Sequence, residues 1–320
     1  MKKLTATCLP LLMAVLCFAR GVSAQEPSKP APEKSWYPSE WGPDDQRGAA
    51  NRLTPQKTLE ATQLIKRGQI YQLGHMYEDN MPLPPFRSYK LHIPIPWGPA
   101  GKNETMVFTE YICADLGQVG TQLDALGHQG IGNLFYNGND RRQFAQWTGL
   151  EKLGVEHIGV FFTRGVLIDV AAYKKVEQLD KGYEITVEDI KGALQSEGVA
   201  IHEGDIVLLN TGWGTLWNKD NTLFLSGEPG LGLPAARYLV AQKVVLVGAD
   251  DWAVEQWPIK EPDVWFPVHQ FLLPKSGVYI LENLDTSELA RDKVYEFAFI
   301  FAPLKLKGAT GSPGDPIAVR

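Results

Sequence analysis

The segment QVGTQLDALGH, residues 118–128, carries the densest group of polar side chains in this chain of 320 residues. If the segment is extended, every second side chain points to the same face, because a strand alternates with period two. The residues on that face are Gln118, Gly120, Gln122 and Asp124. Gly120 would leave a gap that a bound ion or substrate could fill, and a turn would return His128 to the same region. The pattern favours a functional site, with a solvated edge strand as the alternative.

Two residues far downstream, His269 and Glu282, extend this polar group. Glu282 follows the apolar stretch VYIL, so it is either a surface acid at a strand end or a ligand that faces a cleft. His269 alone is more typical of a hydrogen-bonded structural histidine. Together with Asp124 and His128, however, they form the set of Asp, His and Glu side chains that suits a divalent metal ion in a hydrolytic enzyme.

Around these residues the chain mixes strand-like and helix-like segments and shows no internal repeat. One predicted helix runs from Thr54-Pro55 to Lys66, a second begins at the capping residue Thr186, and a third spans residues 233–241. The predicted strands are residues 106–113, 166–170, 205–209, 244–247, 278–281 and 295–301. This organisation indicates an α/β fold in a single domain.

The N-terminus carries the pattern of an export signal. Lys2 and Lys3 precede eleven mostly apolar residues, 9–19, and the small residues VSA end at Ala24. Eleven residues are too few to span a bilayer, which needs about 20. We therefore expect a signal peptide over residues 1–24 and a mature protein that is exported to the periplasm or secreted, without a membrane anchor.

The composition of the remaining chain indicates its domain organisation and argues against one class of partner. Five prolines in residues 25–43 predict an extended N-terminal arm over residues 25–45, followed by one domain over residues 46–320. The net charge of −6 argues against nucleic acid as a partner, because binding to phosphates requires a basic face. Cys113 is the one cysteine after residue 24, so the domain is expected to fold without an internal disulfide.

The motif Q-x-G-T-Q-x-D-x-x-x-H of residues 118–128 resembles the H-x-G-T-H-x-D-x-P-x-H motif of the cyclase-like metal-dependent hydrolases. That family includes bacterial arylformamidase (kynurenine formamidase) and isatin hydrolase. Further similar segments follow in order along the chain, at residues 41–45, 48–51, 205–213, 248–250, 269–284 and 303–313. The resemblance implies a mixed β-sheet core flanked by helices, the swivelling β/β/α arrangement of the family.

The resemblance also implies roles for individual positions. The positions of the family's metal ligands are Gln118, Gln122, Asp124, His269 and Glu282, and His128 takes the position of the proton acceptor and donor. Glutamine replaces histidine at two of these positions, and an amide oxygen is a weaker ligand than an imidazole nitrogen. We therefore expect one divalent ion, Mn²⁺ or Zn²⁺, rather than two. Alternatively, the amides bind the substrate directly.

The expected activity is hydrolysis of an amide, cyclic amide, ester or lactone in a small molecule. A metal ion would polarise the carbonyl group, and His128 would transfer the proton. Five aromatic residues are candidates for the walls of a substrate site: Phe86, Tyr89, Trp97, Trp213 and Trp252. The alternative is a metal-free protein that binds a small molecule on the same fold. The resemblance suggests a homo-oligomer in either case.

Overall fold

A mixed sheet of nine strands forms the centre of the computed structural model, which describes residues 35–261 and 263–320. The expected signal peptide and residues 25–34 of the expected N-terminal arm lie outside the described residues. The strands of the described part are β1 Ile70–Gln72, β2 Tyr89–His92, β3 Trp97–Ala100, β4 Thr105–Val107, β5 Tyr111–Ala114, β6 Gln122–Asp124, β7 Leu134–Phe135, β8 Asn139–Asp140, β9 Ala145–Gln146, β10 Gly149–Leu150, β11 Phe161–Asp169, β12 Glu184–Ile185, β13 Ile206–Asn210, β14 Gly230–Leu231, β15 Leu246–Ala249, β16 Tyr279–Glu282, β17 Glu296–Phe301, β18 Gly311–Pro313 and β19 Ile317–Val319.

The helices are short and connect or cover these strands. The α-helices of the described residues are α1 Pro55–Thr62, α2 Arg141–Phe144, α3 Val170–Lys174, α4 Val187–Glu197, α5 Asn221–Leu225, α6 Leu233–Ala241, α7 Pro267–Gln270 and α8 Ser287–Arg291. Short 3₁₀ segments occur at Gly48–Arg52, Tyr136–Gly138, Val155–His157 and Trp213–Leu216, and a π-helical segment, Phe271–Lys275, continues α7. None of the helices in the described residues has the length and apolarity that crossing a bilayer requires.

Strands cross the sheet in the order β1-β19-β17-β11-β13-β15-β16-β6-β18. The four central strands β11, β13, β15 and β16 run parallel to one another, and all other pairings in the sheet are antiparallel. The sequence of β13, IVLLN, is buried at all five positions, as expected for a parallel strand covered on both faces. The predicted α/β fold, with a mixed sheet core flanked by helices, is confirmed.

Local capping chemistry determines where the main helices begin. The side chain of Thr54 accepts a hydrogen bond from the Lys57 backbone N–H, and Pro55 occupies the first turn of α1. Thr186 and Asp189 form a capping box at α4, which ends at Gly198 in the left-handed region (φ +71°). Helix α1 ends at Thr62, earlier than predicted, because the following turns are closed by i→i+3 hydrogen bonds.

The β-prone segment 106–113 forms two strands of one long hairpin rather than a single strand. Strands β2 and β5 make the stem of this hairpin, residues 89–114, and β3 and β4 make its tip. Pro94 and Pro96 lie between β2 and β3 and cannot donate backbone hydrogen bonds, which explains the break in pairing. Nine large apolar side chains of the hairpin are at least 38 % exposed: Leu91, Ile93, Ile95, Trp97, Met106, Val107, Phe108, Tyr111 and Ile112.

The last residues of the expected N-terminal arm lie against the domain. The side-chain amide of Asn137 donates hydrogen bonds to the carbonyl oxygens of Gly42, Pro43 and Asp45, at 2.8–3.1 Å. In return its oxygen accepts from the Ser39 backbone N–H at 2.7 Å. Residues 36–320 accordingly belong to one compact unit.

Candidate active site

Three buried side chains from distant parts of the chain meet at the end of β16. Asp124 ends β6, His269 lies in α7, and Glu282 is the last residue of β16. One ligand atom from each lies within 4.8 Å of the others, and the residues are only 0–5 % exposed. The carboxyl end of a central parallel strand is the usual position for ligands in an α/β sheet. We call these three residues the acid–histidine triad.

The two glutamines of the motif donate hydrogen bonds to the acids of the triad. Gln118 Nε2 lies 3.1 Å from Asp124 Oδ1, and Gln122 Nε2 lies 2.6 Å from Glu282 Oε2. The second contact follows from the sheet register, because Gln122 in β6 pairs with Glu282 in β16. An ionised carboxylate only accepts hydrogen bonds, so each amide presents its NH₂ group to an acid. The glutamines therefore position the carboxylates.

Glu255 determines the orientation of His269. One oxygen of Glu255 accepts from the ring Nδ1 of His269 at 2.5 Å and from its backbone N–H at 3.0 Å, and the other accepts from Val268 N–H. The ring Nε2 then lies 3.2 Å from Glu282 Oε1 and 3.7 Å from Asp124 Oδ2. Burial lowers the pKa of His269, but the hydrogen bonds to Glu255 and Glu282 raise it to about 10. The Nε2 position therefore favours a positive charge.

The acids of the triad also fit a bound cation. Burial and the nearby Asp124 raise the pKa of Glu282 to about 7, since two buried carboxylates repel each other. Asp124 Oδ2 and Gln122 Oε1 are buried without a hydrogen-bond partner. A divalent ion with oxygen and nitrogen ligands would satisfy both the charge and these unpaired acceptors. Asp124, His269 and Glu282 would hold it, with the Gln122 oxygen as a further acceptor.

His128 lies beside the triad at the solvent side. Its Nε2 is 3.8 Å from Asp124 Oδ2, and its side chain remains 23 % exposed. Burial lowers its pKa, the charge of Asp124 opposes this effect, and the charges of His269 and Arg87 add to it. A neutral imidazole with access to a cavity can accept a proton from water and donate it to a leaving group.

The triad and His128 open into a cavity of about 190 Å³. Its lining residues are Pro84, Phe86, Arg87, Gln118, Gln122, His128, Gln129, Trp252, Ala253, Phe266, His269 and Glu282. Phe266 adopts a left-handed backbone conformation (φ +48°) before α7, and its ring contacts the rings of Trp257 and His269. Such strain in a non-glycine residue is typical of functional sites.

The structure brings two of the five predicted aromatic walls to this cavity. Phe86 and Trp252 line it, although Phe86 is 78 % exposed. Tyr89 is buried and lines a separate cavity of about 580 Å³. Trp97 is exposed at the tip of the hairpin, and Trp213 is buried with its ring N–H donated to Phe224 O at 3.2 Å. Tyr89 and Trp213 belong to a separate buried apolar cluster, and Trp97 remains exposed to solvent.

The gap expected at Gly120 is not available to a ligand. Gly120 has φ +64°, and a Cβ atom there would lie 2.6 Å from Cζ of Tyr77. The aromatic ring of Tyr77 therefore fills the space that the alternating pattern left open. The extended segment is also shorter than the pattern suggested, since only Gln122–Asp124 forms a strand. Gln122 and Asp124 do share a face, and Leu123 between them is fully buried in the core.

Three contributors to the site were missed by sequence reasoning: Glu255, Arg87 and Phe266. They lie in loops or at a helix start, where no periodic pattern marks them. The acidic run Asp250-Asp251 shortly before Glu255 was a signal that an acid-rich segment reaches the site. Arg87 was detectable only as the basic residue of a loop rich in proline and aromatic residues.

The fold and the triad define an α/β protein with a buried cluster of carboxylate and imidazole groups that could hold a cation. The chain belongs to the family described as Putative cyclase, whose family model matches residues 71–256. The resemblance of the motif at residues 118–128 is thus confirmed. The solved structure of a novel cyclase is 34 % identical, with a TM-score of 0.79, and the match covers 88 % of this chain and 96 % of that one.

Two more distant structures share the fold. Isatin hydrolase A from Ralstonia solanacearum is 21 % identical, with a TM-score of 0.59 and coverage of 84 % of this chain and 98 % of that one. A predicted metal-dependent hydrolase from Bacillus stearothermophilus is also 21 % identical, with a TM-score of 0.50 and coverage of 78 % and 97 %. No protein with a curated description matches the chain.

Proposed function

We propose that this protein is a metal-dependent hydrolase that cleaves an amide, cyclic amide, ester or lactone bond of a small, flat substrate, in the manner of an arylformamidase. The observation that carries the proposal is the buried acid–histidine triad beside His128 in one cavity. The hydrolases of similar fold support the reaction class. We propose one ion, Mn²⁺ or Zn²⁺, because the glutamines donate to the acids and a single cluster of ligands remains among the described residues.

Each residue of the cavity has its own role in the proposed reaction. When bound at the triad, a divalent ion would polarise a carbonyl group and favour ionisation of water. Burial lowers the pKa of His128 and so favours the neutral imidazole, which accepts a proton from the attacking water and donates it to the leaving group. Glu255 holds the His269 ring in place, and the glutamines hold the two acids. Phe86, Trp252 and Phe266 provide apolar walls for a flat substrate.

Metal content tests this proposal directly. We would measure it by plasma mass spectrometry in the wild type, in Asp124→Ala and in Asp79→Ala, which removes an exposed acid elsewhere. About one equivalent of ion is expected in the wild type and in Asp79→Ala, and none in Asp124→Ala. Hydrolysis of formanilide should follow metal content and be lost in His128→Ala. Absence of metal after incubation with Mn²⁺ or Zn²⁺ would favour the metal-free binding protein.

We further propose that the protein is exported to the periplasm or secreted. Support comes from the basic, apolar and small-residue pattern of residues 1–24. The test is N-terminal sequencing of the protein from the periplasmic fraction and the medium. A mature chain that starts at Gln25 is expected, whereas an uncleaved chain in the cytoplasm would contradict the proposal.

We also propose that two copies associate through the exposed hairpin, residues 89–114. Support comes from its nine exposed apolar side chains, because a second copy of the hairpin would cover them. Light scattering should give twice the monomer mass, and Ile95→Asp at the tip should shift the protein to monomer. A monomeric wild type would contradict this proposal.

A further inference from the structure

A tight turn brings a basic side chain to the cavity of the triad. The Arg87 backbone N–H donates to Pro84 O at 2.9 Å, and Pro84 and Pro85 restrict the backbone of this turn. Among the described residues that line the cavity, Arg87 is the only lysine or arginine. Its side chain is 29 % exposed, so it is partly shielded from water.

The guanidinium group of Arg87 keeps most of its hydrogen-bonding capacity. Its one hydrogen bond in the described structure joins Nη1 to Asp115 Oδ1 at 3.4 Å, which is long for a charged pair. Asp115 has other partners, because its Oδ2 accepts from the Ser88 backbone N–H at 2.8 Å and from the Ser88 hydroxyl at 3.3 Å. Arg87 therefore has four of its five N–H donors available for a ligand.

The rest of the cavity limits what such a ligand can be. Its volume of about 190 Å³ is close to that of apolar cavities of about 150 Å³ that bind benzene. Phe86, Trp252, Ala253 and Phe266 supply apolar contacts, and the Arg87 guanidinium lies 5.4 Å from the centre of the Phe86 ring. One ring with small substituents fits this space, and a planar carboxylate matches a planar guanidinium through two parallel hydrogen bonds.

We propose that Arg87 binds a carboxylate of the substrate, so that the protein acts on small aromatic amides or esters that already carry a carboxylate group. This inference rests on the proposed hydrolytic function and adds the substrate class to it. The carbonyl group to be cleaved faces His128 and the triad, while the carboxylate is held by Arg87. A neutral analogue would leave the guanidinium without its partner.

Two probe substrates that differ in one carboxylate test the inference. Formanilide is neutral, and 2-formamidobenzoate carries a carboxylate beside the same formamide group. With the metal-loaded wild type we expect kcat/KM to favour 2-formamidobenzoate by at least about 10-fold, mostly through KM. Arg87→Gln should abolish this preference, measured as the ratio of kcat/KM for the two probes, and Arg87→Lys should restore part of it.

A matched control separates a specific contact from a general change of charge. Lys90→Gln removes one positive charge from the same segment, but Lys90 pairs with the exposed Asp79 and does not line the cavity. This variant should keep the wild-type preference. Equal kcat/KM for the two probes in the wild type, or a preference that survives in Arg87→Gln, would overturn the inference while leaving hydrolysis intact.

A binding experiment decides the case in which neither probe is hydrolysed, an outcome that would count against the proposed function alone. Calorimetric titrations with benzoate and with benzamide compare a carboxylate with a neutral group of the same shape. We expect benzoate to bind at least about 10-fold more tightly, and we expect this difference to disappear in Arg87→Gln. A difference retained in that variant would show that another group, such as the metal ion, holds the carboxylate, and would overturn the inference.

Discussion

Replacement of Glu255 by glutamine should weaken metal binding without removing any ligand. The Glu255 carboxylate accepts three hydrogen bonds, from His269 Nδ1, from the His269 backbone and from the Val268 backbone. Glutamine keeps one acceptor oxygen and turns an NH₂ group towards a donor. One buried N–H then loses its partner, which costs about 1–3 kcal/mol. Loss of the outer carboxylate that orients a ligating histidine typically lowers metal affinity by about 10- to 100-fold.

The assay is a competition for Mn²⁺ and Zn²⁺ between the protein and a chelating dye, at the same pH for each variant. We expect the Kd of Glu255→Gln to rise by about 10- to 100-fold. Its Tm without metal should fall by about 2–10 °C, from the same 1–3 kcal/mol. Circular dichroism confirms that the variant is folded at the assay temperature.

Glu197→Gln is the matched control for this measurement. Glu197 is a half-buried acid, and its oxygen accepts one backbone N–H, from Asp169, at 2.8 Å. It does not line the cavity of the triad. The control should keep the wild-type Kd. An affinity of Glu255→Gln within twofold of the wild type, in a folded protein, would refute the assigned role of Glu255.

Three further predictions concern stability and are measured by urea unfolding. Burial raises the pKa of Glu197 from 4.5 to about 7. Between these pH values the folded state keeps a proton that the unfolded state has released. The free energy of unfolding of the wild type therefore falls as the pH rises from 4.5 to about 7. Glu197→Gln should gain up to about 2 kcal/mol over the wild type from pH 4.5 to pH 8, and a constant difference would contradict the shift. Gly120→Ala should lose about 2 kcal/mol or more, because its Cβ would clash with Tyr77 and φ is positive; an unchanged midpoint would show that the ring can move. Thr186→Ala should lower the free energy of unfolding by about 1 kcal/mol, because the capping box is lost, whereas Thr186→Ser should keep most of the wild-type stability. An unchanged stability of Thr186→Ala would show that Asp189 alone caps the helix.

Local chemistry made parts of the fold predictable. Helix α6 has the predicted bounds, Leu233–Ala241, and helices α1 and α4 begin after Thr54 and Thr186 as their capping side chains indicated. These signals depend on residues within one or two turns of each other. The buried strands β13 and β15 were visible for a similar reason, because a parallel strand covered on both faces is a continuous apolar run.

The assembly of the site depends on pairings that no local pattern contains. Asp124 meets Glu282 because β6 pairs with β16, and these strands are far apart in the sequence. The resemblance to the family motif predicted that these two residues lie close together, whereas the alternation of side chains along a strand could not predict it. The same limit explains the misinterpreted gap at Gly120, which is filled by Tyr77 from a different segment. Glu255 escaped notice because its role depends on how the loop before α7 folds back over the ring of His269.

The position of β6 in the sheet links the chemistry of the cavity to the stability of the core. Strand β6 lies between β16 and β18, and its central residue, Leu123, faces Leu281 on one side and Ser312 on the other. A slip of one residue along either neighbour would turn Leu123 into the polar cavity and bury Gln122 and Asp124 among apolar side chains. Burial of Leu123 in the hydrophobic core therefore fixes the strand register and, with it, the positions of Gln122 and Asp124. Any cation affinity of this protein is expected to vanish at the step in unfolding at which β6 separates from its neighbours.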